Sequence, residues 1–263
     1  MSEVDWVANK QLGFLDVGAG ETLVFLHAFP LRGAMWRHQV AAFGRKYRVI
    51  VPDLPGFGQS ETIQPWSSPM DRMGDAIAEL LENLRLPRAV YCGCSMGGYV
   101  ALQLAQRYPE RVRGLVLSNS RASADSTEAK NGRELTARKV QERGMAALEP
   151  MADKMLGAQA GAALHDEVLA MIRSGNREGA AAASRGIGAR TETLSFLARF
   201  DAPVLVLHGA QDALVSRDES EAMVTAAKRG ELTVIDGAGH LAPLEQPSAW
   251  NDALAGWLAR LPR

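Results

Sequence analysis

The sequence predicts an α/β fold, a mostly parallel sheet covered by helices on both faces. Three observations predict it. Short aliphatic runs alternate with helical patterns along most of the chain. Several of these runs, such as Leu205-Val206-Leu207, are apolar without alternation, as strands buried on both sides are. The same alternation resumes after one interruption, between residues 121 and 200.

Residues 4–7 and 11–17 read as an opening pair of strands, turning afterwards at Gly18-Ala19-Gly20. A buried strand over 22–27 and a helix over 33–43 follow. Next come a strand over 48–53 and a loop carrying Pro55, Gly56 and Gly58, where chain punctuation is strongest. Residues 70–86 place Met73, Ile77, Leu80, Leu81 and Leu84 at helical spacing. Residues 89–94, 96–107 and 112–119 then read strand, helix, strand. The closing stretch gives a strand over 203–208, a helix over 217–228, a strand over 232–236 and a helix over 248–261.

Residues 121–200 contain no convincing strand and are rich in Ala, Gly, Met and charge. A structureless loop of that length inside a compact domain is disfavoured. Short helical patterns at 134–143, 145–156, 166–172 and 191–200, with the alanine run 180–183 inside a helix, predict a helical lid. The expected organisation is thus a core of 1–120 and 201–263 with a cap of 121–200.

Composition narrows the partners. The 263 residues carry 30 acids against 29 Lys plus Arg, a net charge of −1, which disfavours nucleic acid and anionic lipid surfaces. No apolar run approaches the roughly 18–20 residues of a membrane helix. The acidic start, Met1-Ser2-Glu3-Val4-Asp5-Trp6, does not read as a signal peptide. Cys92 and Cys94, the two cysteines, lie two apart on one strand face, poorly placed for a disulfide and too few for a closed zinc site. A reducing cytoplasm is the expected compartment.

The chemistry is carried by Gly93-Cys94-Ser95-Met96-Gly97, a G-x-S-x-G at a strand-to-helix junction. Such a turn exposes the serine hydroxyl at the strand's C-terminal end and needs small residues on either side, because strand and helix nearly touch. A serine needs a base, and the base an orienting acid. Among His27, His38, His165, His208 and His240, the last lies in a glycine-bearing loop after a late strand and is the predicted base. His27 and His208 end strands and read as structural; His38 and His165 are not placed by the sheet order. Asp212, in the loop after the 203–208 strand, is the predicted acid, giving the order Ser, Asp, His along the chain. Asp125 is the second candidate, Asp236 ends the strand before His240, and Asp201 lies at the wrong end of its strand. The amides of Phe29 and Met96 are the expected oxyanion donors. Trp36, Leu214, Val215 and Leu241 are candidate pocket walls. Asp53-Leu54-Pro55-Gly56-Phe57-Gly58-Gln59-Ser60 does not match a phosphate-binding loop and reads as a structural turn.

Together with His27-Ala28-Phe29-Pro30 and Gly209-Ala210-Gln211-Asp212, these residues resemble the α/β-hydrolase superfamily over about residues 11–260, lid excepted. Ala28 stands where the family usually has Gly. The resemblance implies eight strands, mainly parallel, with a helical cap between strands six and seven. Within the superfamily the chain is similar to carboxylesterases and to 3-oxoadipate enol-lactonase-like proteins. Relatives cleaving carbon–halogen bonds or epoxides carry Asp at the elbow, so Ser95 points away from that chemistry. The expected activity is ester hydrolysis through an acyl-enzyme. Lactone hydrolysis, carbon–carbon bond hydrolysis and perhydrolysis with the same residues remain open, and a non-catalytic ligand-binding protein is the rival class. No metal or organic cofactor is expected; the expected partner is a small ester or lactone. The lid holds 12 Lys plus Arg and 10 acids, and Arg121, Arg133 and Arg138 are candidates for binding a substrate carboxylate.

Overall fold

In sequence order the strands are β1 (Val7–Ala8), β2 (Gly13–Val17), β3 (Thr22–Leu26), β4 (Arg48–Pro52), β5 (Ala89–Cys94), β6 (Val112–Ser118), β7 (Val204–Gly209) and β8 (Gly230–Ile235). This is a computed structural model, and it describes residues 7–8, 12–61 and 69–262. The predicted opening strand over 4–7 therefore lies largely outside the described residues. Among the described residues these eight strands form one sheet in the order β1-β2-β4-β3-β5-β6-β7-β8. The β1–β2 and β2–β4 pairs are antiparallel and all others parallel, as βαβ crossovers demand.

The helices are α1 (Arg37–Phe43), α2 (Pro69–Asn83), α3 (Met96–Arg107), α4 (Thr127–Arg143), α5 (Met151–Met155), α6 (Ala162–Arg173), α7 (Arg177–Ala189), α8 (Leu194–Leu197), α9 (Arg217–Ala226), α10 (Ala242–Glu245) and α11 (Pro247–Leu258). Central strands β3, β5 and β7 are buried along their whole length, which accounts for their unbroken apolar composition. On α2, Met73, Ile77, Leu80 and Leu81 are buried on one stripe, as their spacing predicts. Gly74 on that helix lets α2 approach the backbone of Leu104 on α3.

Trp36 was a candidate pocket wall, and the structure corrects this. It ends the 3-10 turn that precedes α1 and is fully buried, its ring tilted against Phe25 at 5.0 Å and Trp250 at 5.4 Å. An aromatic of this size is held in the core because burying it removes far more apolar surface than a cavity wall would.

Helices α4 to α8 all fall between β6 and β7. Two of the predicted short patterns merge or shift: α4 starts at Thr127, capped by Ser126, and α7 runs through the alanine run from an Asn176 cap. Its small residues allow close packing. At Gly179 a Cβ would overlap Gly56, so this inserted helix is seated directly on the loop after β4.

Candidate active site

Ser95 lies between β5 and α3 with φ 51° and ψ −114°. For a residue with a side chain this conformation costs about 1–3 kcal/mol and persists only where its surroundings enforce it. Here the Ser95 N–H donates to the Ser118 carbonyl (2.9 Å), and its own carbonyl accepts from Gly98 N–H (2.9 Å) and Ser120 Oγ (2.9 Å). A Cβ at Gly93 would overlap Gly97, one at Gly97 would overlap the Leu26 carbonyl, and one at Gly98 the Ser120 side chain. The glycines on both sides of the serine are thus required by close approach of strand and helix.

His240 Nδ1 stands 2.9 and 3.0 Å from the two Asp212 oxygens. A carboxylate only accepts, so Nδ1 carries a ring proton and donates it to Asp212. Asp212 is otherwise saturated. Its Oδ1 accepts from Leu214 N–H (2.8 Å) and Val215 N–H (3.1 Å), and its Oδ2 from Asn119 Nδ2 (3.0 Å). Burial alone would raise its pKa; the bonds from His240, Asn119 and Leu214, with the charge of His240, outweigh that and hold it below the usual carboxylate range. Asp212 is therefore ionised at neutral pH.

Two residues escaped the sequence reading. Asn119, with φ 49° just past the end of β6, also donates Nδ2 to the Gly239 carbonyl (3.0 Å), tying the Asp212 loop to the His240 loop. Its own Oδ1 accepts from Ser118 Oγ (2.9 Å). Glu245 accepts from Gly239 N–H (3.0 Å), Leu241 N–H (3.0 Å) and Gly157 N–H (2.7 Å), joining the histidine loop to the segment after α5. The Met155 carbonyl of α5 accepts from His240 N–H at 2.9 Å. The signal available in the sequence was position alone: polar residues directly after a buried strand, and an acid shortly after the candidate base.

The remaining histidines separate cleanly. His27 is fully buried: its Nε2 accepts from Leu54 N–H (2.9 Å) and its Nδ1 donates to the Ala28 carbonyl (3.0 Å). Burial lowers its pKa to about 4, partly opposed by the Ala28 bond, so it is neutral. His208 shares a hydrogen bond with Ser220 (3.1 Å), and His165 pairs with Asp153 (2.8 Å). Neither these nor His38 lines the Ser95 cavity. Asp53, whose carboxylate accepts from Gly33 N–H (2.7 Å) and Gln59 N–H (2.8 Å), makes the Asp53–Ser60 stretch a structural turn.

Ser95 and His240 line one cavity of about 100 Å³ together with Phe29, Tyr99, Arg121, Arg133, Met151, Ile187, Leu214 and Val215. Their side chains share no hydrogen bond among the described residues; catalytic contacts commonly tighten only around substrate. The Phe29 and Met96 amides have no acceptor among the described residues, while neighbouring Ala28 N–H is engaged by Met35 Sδ (3.3 Å). Leu214 and Val215 are in the cavity wall. Leu241 is not: it is fully buried, its backbone N–H bound to Glu245 and Met155, so the fold uses it as a core residue. Asp125 is not joined to a histidine. It meets Arg190 (2.8 Å), Arg121 (3.2 Å) and Arg133 (3.2 Å). Arg138 pairs with Glu134 (2.9 Å) on the outer face of α4, outside the cavity lining.

Residues 21–147 match the family described as alpha/beta hydrolase fold. A thermophilic esterase from Thermogutta terrifontis, solved with malate bound, superposes with a TM-score of 0.92 at 36% identity, covering 95% of this chain and 93% of that one. The chain belongs to the α/β-hydrolase superfamily. Other members similar to this hydrolase are enol-lactonases. The one from Burkholderia xenovorans LB400 superposes with a TM-score of 0.85 at 25% identity, over 95% of this chain and 96% of that one. The 3-oxoadipate enol-lactonase 2 of Acinetobacter baylyi is 29% identical over 243 residues, 90% of this chain and 88% of its own.

Proposed function

We propose that this hydrolase cleaves carboxylic esters of small molecules through an acyl-enzyme, with Ser95 as nucleophile, His240 as general acid–base and Asp212 as orienting acid. The observation that carries the reading is the Asp212–His240 pair facing the same cavity as a serine held in a strained turn. Ser95 Oγ attacks the substrate carbonyl carbon and its proton passes to His240 Nε2. The resulting imidazolium is stabilised by Asp212 through Nδ1. The Phe29 and Met96 amides, free of other acceptors among the described residues, receive the oxyanion; each such donor is worth about 100- to 1000-fold in rate. Collapse expels the alkoxide, which takes the proton from His240. Water then gives a proton to Nε2, its hydroxide attacks the acyl carbon, and Ser95 leaves with that proton restored.

A lactone is an ester whose leaving alcohol stays attached, so the same steps open a ring, and the enol-lactonase relatives favour that second reading. We read residues 121–200 as a lid over this site, because Met151 and Ile187 form part of the cavity wall and Met155 and Gly157 hold the His240 loop. Cys92 and Cys94 are free and buried, in keeping with a reducing cytoplasm as the place of work. Among the described residues no helix is long and apolar enough to cross a membrane. Turnover of a short p-nitrophenyl ester tests the assignment: Ser95→Ala is expected to abolish it, and retained turnover overturns it.

A further inference from the structure

The Ser95 cavity contains two guanidinium groups that ester hydrolysis does not itself require. Arg121 follows β6 and Arg133 lies on α4; both line the cavity with Ser95 and His240. Neither is a solvated surface cation, since their side chains are 22% and 27% exposed. Asp125, with a completely buried side chain, accounts for their placement. Its Oδ1 takes Arg121 Nη2 at 3.2 Å and Arg190 Nη2 at 2.8 Å, and its Oδ2 takes Arg133 Nε at 3.2 Å. Arg190 is itself spent on structure: Nη1 donates to Ile187 O (2.7 Å), Nη2 to Ser123 O (3.1 Å), and its plane covers the Tyr99 ring at 4.2 Å. Gly188 on α7 leaves room for the Arg133 stem, and Ser184 Oγ fixes the Arg133 carbonyl at 2.8 Å.

One carboxylate against three guanidiniums leaves two positive charges uncompensated within this cluster. Desolvation opposes the charge on Arg121, while Tyr99 and Asp125, and more weakly Glu219, favour it; the Glu219 carboxylate itself accepts from Ser123 Oγ (2.7 and 2.8 Å). Among the described residues Arg121 Nε is buried and without an acceptor, and Arg133 uses only Nε on Asp125. A half-buried surplus of positive charge with unused donors is unfavourable unless an anion completes it. The surplus faces the cavity that holds the nucleophile, and the cavity is small, about 100 Å³.

We propose that Arg121 and Arg133, held in place by Asp125, bind a second carboxylate of the substrate, so that the preferred substrates are short monoesters of dicarboxylic acids. This rests on the ester-hydrolase reading above. The apolar walls, Phe29, Leu214 and Val215, leave the reacting carbonyl near Ser95, while the two arginines take the far carboxylate. Asp125 is a positioning residue here and touches no substrate.

The test compares kcat/KM for ethyl hydrogen succinate with that for neutral ethyl pentanoate, following ethanol release. The wild-type enzyme is expected to favour the anionic ester. Arg133→Met and Arg121→Met are each expected to lower the anionic-to-neutral ratio by about 10- to 100-fold, the range for a hydrogen bond to a charged group, mainly through KM. Arg133→Lys is expected to recover part of the ratio. Free succinate is expected to inhibit competitively, more weakly at high salt. A wild-type preference for ethyl pentanoate overturns the proposal, whatever the variants do. So does an unchanged ratio in folded Arg→Met variants. If neither ester turns over and Ser95 resists a fluorophosphonate, the ester-hydrolase reading itself has failed.

Discussion

Asn119 donates its side-chain amide to Asp212 Oδ2 and to the Gly239 carbonyl, both at 3.0 Å, so one residue past the end of β6 ties together the two loops that carry the proposed acid and base. A positive φ of 49° turns that side chain toward them, and Asn is among the few side-chain-bearing residues that accept such a conformation readily.

Replacing Asn119 by Leu removes both bonds at once. We expect kcat/KM for a neutral ester to fall by about 10- to 100-fold, the value of a hydrogen bond to a charged group, with most of the loss in kcat. Asn119→Asp adds a negative charge beside Asp212 and is expected to raise the Asp212 pKa, moving the acid limb of the pH–rate profile to higher pH. Steady-state kinetics across pH check both, and a wild-type profile in Asn119→Leu contradicts the role.

Glu245 supplies the second tie. In Glu245→Gln an amide N–H₂ faces backbone N–H groups of Gly157, Gly239 and Leu241 that now bond to carboxylate oxygens. Leaving even one such donor unsatisfied costs about 1–3 kcal/mol. Denaturant unfolding is expected to show a loss of that order, and hydrogen exchange at Gly157 and Gly239 is expected to quicken together. Exchange unchanged at both glycines counts against the link between α5 and the histidine loop.

Most of the fold was legible because its strands and helices advertise themselves by period. The buried β3, β5 and β7 read as unbroken apolar runs, and α2 shows its stripe. The Gly-x-Ser-x-Gly elbow is legible for a local reason: close approach forbids side chains at Gly93 and Gly97. What the sequence hid is convergence from separate segments. Asn119 and Asp212 are 93 positions apart, and Glu245 reaches Gly157 across 88. Trp36 and Leu241 misled for a related reason. Proximity to the site along the chain does not say which way a side chain faces, and both turn into the core.

His27 gives a pH signature separate from catalysis. Its pKa falls from 6.5 to about 4 on folding because it is buried as a neutral ring. Between those values the unfolded chain binds more protons, so stability rises with pH across that window. The sign is fixed: the contribution is complete above 6.5 and is lost as pH falls toward 4. Its full size is about 3 kcal/mol by linkage. Unfolding free energies measured from pH 7 to 4 are expected to decline, and to decline less in His27→Gln. An equal slope in the variant contradicts the assignment.

Gly97→Ala is expected to be disruptive out of proportion to one methyl group. The added Cβ would overlap the Leu26 carbonyl of β3, a backbone atom that cannot rotate away. Overpacking of this kind costs about 1–3 kcal/mol, and the required shift would displace the Ser95 turn. We expect a lowered Tm with ester turnover reduced by more than tenfold, since a misplacement of about 1 Å can cost 100-fold. A variant with wild-type Tm and turnover contradicts the close-approach account.

The central claim is that Ser95 is an activated nucleophile, and labelling tests it most directly. The protein is treated with a fluorophosphonate, and the adduct is located by peptide mass spectrometry while ester turnover is followed in the same samples. The account predicts one phosphonyl group per chain on Ser95, loss of turnover in step with labelling, and sharply slowed labelling in His240→Ala. Labelling elsewhere with Ser95 unmodified, or turnover that survives full modification of Ser95, contradicts it.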